Sequence, residues 1–390
     1  MKVAFTVFAD ASWTGGLNYL RNLFSALAEV PGRPVVPVLF LAPGTPDKAF
    51  APLLPYLATA PVVVPGWTSS RNRRALNAVL RGHDQVSLAA FRAAGIDVVF
   101  FNDAWYGHRF PIPTLSWVAD FQHCRLPQMF TPFQRWKRSA MYWAFSRGAT
   151  RVLVSSQDAR QDCEQFFPAA RGKIAAVPFA VQLGEASPLD DVRAVVAHHG
   201  LPEKFVYFPG QLWRHKNHLA ALEAVRRLAA AGTDVVVVSS GNLSDGRHPD
   251  HPAQVLALAK DDALRERFRF LGLIPYEHIM PLMRASAAVL NPSLFEGWST
   301  TVEEAKAVGV PLLLSDLRVH REQAPENALF FDPGNVDEMA KVLGQAWGEW
   351  AAGPRPVQEA AAGLRYEQQR AQFGRRFVDL VQAMRPSHAG

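Results

Sequence analysis

The chain has 390 residues, 49% of them apolar, a formal net charge of +6 and two cysteines, Cys124 and Cys163, that lack metal-ligand spacing. This length points to two domains rather than one core, and the apolar share excludes a disordered chain. Two cysteines fit a reducing, cytoplasmic setting rather than a disulfide framework, the charge permits an acidic partner such as a nucleotide, phospholipid or anionic glycan, and no apolar run reaches the roughly 18 residues of a membrane span. A nucleic-acid partner is not expected.

Lys2 to Ala9 reads as a buried parallel strand, and its apolar run stops at Asp10, shorter than a signal sequence. Leu17, Leu20, Phe24, Leu27 and Ala28 then recur at helical spacing, which sets Gly15 and Gly16 between strand and helix. Glycine there lets backbone approach a ligand closely, but the pair alone reads rather as a tight turn without a ligand. Strands follow at 34–42, 61–65, 95–102 and 114–118, with a basic cluster of Arg71, Arg73 and Arg74 that reads as a solvated face. The strand at 114–118 leads to Asp120-Phe-Gln-His123. A carboxylate and an imidazole at a strand's carboxyl end can hydrogen-bond hydroxyls or move a proton; by themselves they read rather as a turn cap and a satisfied loop histidine. From 121 to 157 no acidic residue occurs, while basic residues within 125–151 interleave with Phe130, Phe133, Trp136, Tyr142, Trp143 and Phe145. Such a segment can lie at a membrane surface or grip an anionic acceptor, or supply core aromatics with a solvated basic edge. A strand at 151–156, a helix at 157–166 and a strand at 173–179 complete a first domain of residues 1–180. Turn-rich residues 181–203 read as a linker.

The β/α alternation restarts in 204–365, as expected of a second doubly wound domain. Strand 205–210 is followed by Gln211, Arg214 and Lys216, then a helix over 218–230. Cations at a helix start are slightly disfavoured by its dipole, so Arg214 and Lys216 there favour an anionic ligand over two exposed charges. Strand 234–241 comes next. Residues 245–252 hold two His and two Asp, yet their prolines and turn residues make a surface loop. Strand 268–275 exits through Leu273 and Ile274 to a helix over 276–285. Ala287–Asn291 is a short buried strand, Pro292 and Gly297 punctuate a turn, and Thr300 with Glu303 has capping-box spacing. Free N–H groups at such a helix start bind anions. Glu296 and Glu304 flank the turn. Carboxylates repel phosphate but accept hydrogen bonds from hydroxyls, so the pattern suits a nucleoside diphosphate joined to a sugar. Spacing alone leaves open that Glu303 caps the helix and the other two are exposed acids. Strands at 311–315 and 328–332, a helix over 335–350 and an amphipathic tail from 366 close the chain.

Seven residues lie between Glu296 and Glu304, and with Ser293-Leu-Phe-Glu-Gly-Trp298 and Glu304-Ala-Lys-Ala-Val-Gly-Val-Pro311 they resemble the Glu-x7-Glu motif of retaining GT-B glycosyltransferases of family 4. The resemblance extends to the Gly15–Gly16 loop, to Asp120–His123 and to the residues around Gly210. It implies two Rossmann-like domains facing a central cleft, with a final helix of about 366–390 crossing back onto the first domain. It implies transfer of a hexose from a nucleotide diphosphate sugar to a glycan or glycolipid acceptor in bacterial biosynthesis. A GT-B epimerase or a non-catalytic sugar-nucleotide binder would share the fold. In the family's terms Lys216 holds the diphosphate, with backbone at Gly15, Gly16, Ser299 and Thr300. Glu304 accepts from the ribose, and Glu296 with the amides of Gly297 and Trp298 orients the sugar. Backbone near Leu273 and Ile274 reads the base, and His123 with Asp120 lies by the reacting face. Gln211 stands where the family commonly has Arg, and Arg214 is the candidate for the missing charge. No Asp-x-Asp motif lies in a strand-end loop, so no metal cofactor is expected. The resulting expectation is a cytoplasmic protein with peripheral membrane contact through 125–151.

Overall fold

A computed structural model describes residues 1–6, 14–67, 78, 80–101, 104–183, 188–323 and 325–385. The chain forms two units. The first comprises residues 1–124, 132–182 and 368–390. Its strands are β1 (Lys2–Thr6), β2 (Val36–Leu41), β3 (Val62–Val63), β4 (Val98–Phe101), β5 (Thr114–Trp117), β6 (Arg151–Val154) and β7 (Ile174–Ala176). All pair in parallel, in the order β3-β2-β1-β4-β5-β6-β7. Strands β4 and β5 are buried at every residue, as a parallel sheet covered on both faces requires. The covering helices are α1 (Thr14–Glu29), α2 (Gln85–Ala93), α3 (Gln122–Arg125), α4 (Pro132–Gly148) and α5 (Gln157–Phe166). On one face Phe5 meets Phe24 and Phe100 at ring separations of 4.8 and 5.0 Å. On the other, Phe101, Tyr142 and Phe145 form part of a continuous buried cluster.

The second unit comprises residues 125–131 and 183–367. It runs α6 (Leu189–His198), β8 (Val206–Pro209), α7 (His218–Ala230), β9 (Val237–Ser240), α8 (Asp250–Leu258), β10 (Phe268–Phe270) and α9 (Tyr276–Ala285). Then come β11 (Ala288–Asn291), α10 (Thr300–Ala307), β12 (Leu312–Ser315), α11 (Arg318–Glu322), β13 (Ala328–Phe331), α12 (Val336–Glu349) and the start of α13 (Pro356–Gln382), whose residues from 368 on belong to the first unit. The sheet order is β10-β9-β8-β11-β12-β13, again all parallel. Apolar clusters line both faces, one around Phe208, Val225 and Leu343, the other around Tyr207, Leu282 and Leu314. Each unit is thus a doubly wound, Rossmann-like domain.

Several expectations change. Residues 181–203 do not form an open linker: 189–198 is α6, whose Val195 and Val196 pack with Ile279 and Met280 of α9. Residues 125–131 belong to the second unit, where the Arg247 guanidinium lies 5.0 Å from the Phe130 ring centre and His248 Nε2 lies 3.1 Å from the Met129 carbonyl oxygen. Residues 245–249 form the expected loop, with Gly246 and Pro249 exposed, but Asp245 and His251 are buried and α8 starts at Asp250. Gly15 and Gly16 lie inside the first turn of α1 rather than before it. Residues 7–9 of the first strand and Arg71, Arg73 and Arg74 lie outside the described residues. The C-terminal helix starts at Pro356, ten residues before the expected tail. Its Phe373 and Phe377 pack in the first unit, against Tyr19 and Phe5 at 6.1 and 6.3 Å.

Candidate functional site

In each sheet the strand order reverses once, between β1 and β4 and between β8 and β11. Open α/β sheets bind ligands beyond the carboxyl ends of the strands at such switch points. In the second unit the loops after β8 and β11 meet there. Asn217 takes a left-handed conformation, φ 64°, which asparagine tolerates better than most side chains. Its amide donates to the carbonyls of Pro292 and Pro333 at 3.1 and 3.0 Å, and Leu294 N–H donates to the His215 carbonyl at 2.8 Å. These bonds fix the turn Arg214–Lys216 beside the turn 292–299.

The result is a close ion pair. Lys216 Nζ donates to Glu296 Oε1 at 2.6 Å, with the two side chains only 19% and 12% exposed. Burial alone would raise the Glu296 carboxyl. Lys216, with help from His215, outweighs it and holds the group down at about 2. Ser293 Oγ lies 2.7 Å from both Glu296 Oε1 and Asn291 Oδ1 and donates to one at a time. His320 is buried nearby in the electrostatic sense: Glu296 opposes the lowering that burial imposes on its imidazole. Its Nδ1 lies 2.8 Å from the Ser315 carbonyl oxygen.

The helix behind this pair is capped one residue before the expected cap. Ser299, not Thr300, is the N-cap: its hydroxyl accepts from Val302 N–H at 3.4 Å and from the Asn291 amide at 2.8 Å. Glu303 does not reach back to close a capping box. It is buried and accepts from Gln323 Nε2 and Lys306 Nζ at 2.8 and 3.1 Å. Burial raises its carboxyl, with Lys306 and Gln323 opposing. Gln323 also grips the Ser299 backbone, through N–H at 3.3 Å and carbonyl at 2.9 Å. Glu304 is half-buried one position on, and its charge adds to the burial that raises the Tyr207 phenol. Tyr207 OH lies 2.6 Å from Ser240 Oγ, so Glu304 stands by the carboxyl ends of β8 and β9. Gly297, Trp298 and Thr300 are half-buried in the same turn.

Three further loops are sewn together by backbone. Gly210 N–H donates to the Ser240 carbonyl, Leu212 N–H to Asn242, and Gly241 N–H to Gly272, at 2.8–2.9 Å. Gly241 has φ +147°, and a Cβ there would sit 2.3 Å from the Gly210 carbonyl oxygen, so no other residue fits. Gln211 is half-buried beside it. Arg214 is exposed and has no salt-bridge partner among the described residues. Its backbone N–H donates to Asp245 at 3.1 Å, and Asp245 also accepts from the N–H groups of Arg247 and His248. Those bonds outweigh burial and lower the Asp245 carboxyl. In the loop after β10, Leu273 is 77% exposed while Ile274 packs on the core. Asn217, Asp245, Asn291, His320 and Gln323 were not singled out from sequence. Only Asn217, just before the periodic helix, carried a local signal; Asn291 reaches Ser299 eight residues on, Gln323 reaches Glu303 twenty residues back, and Asp245 meets Arg214 across 31 residues.

In the first unit Asp120 Oδ1 accepts from Gln122 N–H and Arg138 Nη2, both at 3.0 Å. Its ion partner is therefore Arg138. His123 is buried, and its Nε2 lies 3.4 Å from Cys124 Sγ. Burial first, then Arg138, lowers its imidazole to about 4 despite Asp120, so it is neutral at pH 7. On α4, Phe133, Trp136, Lys137, Trp143 and Arg147 share one exposed face, with the three aromatics 68%, 66% and 55% exposed. Tyr142 and Phe145 face inward. The aromatic residues of this helix are therefore split: Tyr142 and Phe145 are core, while Phe133, Trp136 and Trp143 are surface. No helix among the described residues is long and apolar enough to cross a membrane.

Two Rossmann-like domains are also the fold of the solved GT-B glycosyltransferases that the chain resembles in structure. Residues 195–349 match the model of the glycosyl transferases group 1 family. Over 208 residues the chain is 30% identical to a 2-deoxystreptamine glucosyltransferase of Streptomyces kanamyceticus, covering 52% of each protein. Over 175 residues it is 29% identical to a D-inositol 3-phosphate glycosyltransferase of Nocardia farcinica, covering 43% of this chain and 38% of that protein. The chain thus spans about half the length of the curated relatives it matches, or less. In fold it is similar to HepE of Anabaena, solved in complex with UDP and glucose, with a TM-score of 0.69 and 16% identity over 98% of this chain and 100% of that one.

Proposed function

We propose that the protein is a retaining glycosyltransferase of family 4 that moves a hexose from a nucleotide diphosphate sugar to a hydroxyl of a glycan or glycolipid acceptor in bacterial biosynthesis. The observation that carries this reading is the Lys216–Glu296 pair set against the start of α10. A departing diphosphate needs preorganised positive charge, and a helix N-terminus supplies directed N–H groups. Lys216 provides the charge and exposed Arg214 a second one, so the reaction needs no metal. Backbone at Gly15, Gly16, Ser299 and Thr300 assists. Glu296, relieved of part of its attraction to Lys216 when phosphate arrives, accepts from the sugar's hydroxyls, aided by the amides of Gly297 and Trp298. Glu304 accepts from the ribose, and Gln211 and the backbone at Leu273 and Ile274 complete the nucleotide's contacts. His123, neutral and held in place by burial, serves the reacting face with Asp120. The leaving phosphate takes the acceptor's proton, and transfer is front-face. The protein works in the cytoplasm, and the exposed aromatic and basic face of α4 touches an anionic membrane surface.

The test is a thermal-shift screen with UDP-, GDP- and ADP-sugars, followed by a transfer assay with the donor that stabilises. Ligand at about 100 times its Kd adds about 2.7 kcal/mol. Lys216→Ala, checked by circular dichroism to be folded, is expected to lose transfer by about 100-fold or more. Normal turnover by that variant removes Lys216 from the mechanism, and a flat screen removes the nucleotide-sugar reading.

A further inference from the structure

Away from the residues assigned to the donor, three imidazoles converge where two helices of the second unit meet. His198 and His199 end α6, and His278 lies in the first turn of α9. Their ligand atoms all lie within 4.8 Å of one another, with His198 exposed and the other two half-buried. His199 Nε2 and His278 Nδ1 are 3.1 Å apart. The ring centres are separated by 4.9, 5.4 and 5.2 Å, with planes 71–83° apart, so the rings are not stacked and their edges converge.

We propose that His198, His199 and His278 form a site for a zinc-like divalent cation that clamps α6 to α9. Tetrahedral zinc with bonds of about 2.0–2.1 Å puts its ligand nitrogens about 3.3–3.4 Å apart. The His199–His278 separation is already within a few tenths of that. The third ligand must close by about 1.5 Å at most to reach the same spacing, and His198 is the exposed one of the three. The fourth position is left to water. All-imidazole ligation selects zinc, nickel or copper over magnesium or calcium.

The supports are stiff. Val195, Val196 and Leu201 pack with Ile279, Met280 and Leu282 in one apolar cluster. The Arg269 guanidinium donates to the Gly200 carbonyl at 2.9 Å and holds the turn after His199. Preorganised elements of this kind keep ligands near productive geometry. Without metal, one of the two close imidazoles donates its N–H to the other. Coordination needs both of those nitrogens bare, so that proton moves through solvent to the other nitrogen of its own ring, and no net proton is released. The clamp ties down the start of α9, four residues after Ile274. It does not depend on what the protein catalyses.

The experiment is titration of ZnCl2 into the full-length chain after EDTA treatment and dialysis, followed by calorimetry and by thermal melting. The expected result is one zinc per chain and a Tm that rises with zinc but not with MgCl2. His198→Ala removes an exposed ligand without touching the core and is expected to weaken binding by about tenfold or more, as is His278→Ala. His251→Ala, in the other histidine-bearing segment, leaves binding unchanged. Absence of stoichiometric binding overturns the proposal, as does binding lost in His251→Ala but kept in His198→Ala and His278→Ala.

Discussion

Lys216 and Glu296 show how one side chain depends on another. Each gives up most of its hydration, and neither would be tolerated there alone. Glu296 is held at about 2 when folded, against about 4.3 in an unfolded chain. Between those values the unfolded state binds more protons. The pair's contribution is therefore present in full above about pH 4.3 and is lost as pH falls through about 2. Removing the cation leaves a buried carboxylate uncompensated, a cost of about 3 kcal/mol for a pair of this kind. Lys216→Ala is thus expected to lose about 3 kcal/mol in urea unfolding at pH 7 and progressively less at pH 4 and pH 3. A cost that stays the same across that range would show that the lysine does not act through the carboxylate.

At the scale of elements, α10 depends on its N-cap. Ser299→Ala removes a hydroxyl that both caps the helix and receives the Asn291 amide, so it is expected to cost about 1–2 kcal/mol. Thr300→Ala, at a helical position, is expected to stay within about 0.5 kcal/mol. Urea melts of the two variants decide between the caps, and equal costs would refute the assignment to Ser299. Sequence could not separate these neighbours, because both are good caps and Glu303 sits at box spacing from Thr300. What displaced Glu303 was Gln323, twenty residues away, which only the fold brings near. Elsewhere the elements were legible. Helices 157–166, 218–230 and 276–285 appear at the expected residues, because each follows a buried strand and carries clear apolar periodicity. Among the described residues the strands came out shorter than expected, by one residue at Thr114–Trp117 and by four at Val237–Ser240, since apolar character continues past the ladder at either end. Helix α6 was missed because Pro188 and the turn-rich run before it dominate the local signal.

At the scale of the whole molecule, α4 combines exposed Phe133, Trp136 and Trp143 with Lys137 and Arg147 on one face. Arg147 covers the Trp143 ring, with its guanidinium 4.6 Å from the ring centre. Such a face gains both apolar burial and charge attraction at an anionic bilayer. The protein is expected to sediment with vesicles containing phosphatidylglycerol and far less with pure phosphatidylcholine. Trp136→Ser combined with Trp143→Ser is expected to weaken that binding by about tenfold or more, since burying even one large side chain is worth about 1.5–3 kcal/mol. Equal binding to both vesicles, or none to either, would rule out this contact. The two doubly wound domains were legible because β/α alternation restarts after residue 204. The assignment of 125–131 to the second unit was not, because it rests on Arg247 and His248, more than a hundred residues further on.

One consequence concerns biosynthesis. Phe377 contributes to the same aromatic cluster as Phe5 and Phe100, lying 6.3 and 6.2 Å from them. A ribosome makes it only after the entire second unit. The amino-terminal sheet must therefore wait, incompletely sealed, through translation of some two hundred further codons, so nascent chains stalled before residue 373 should be the ones that recruit chaperones.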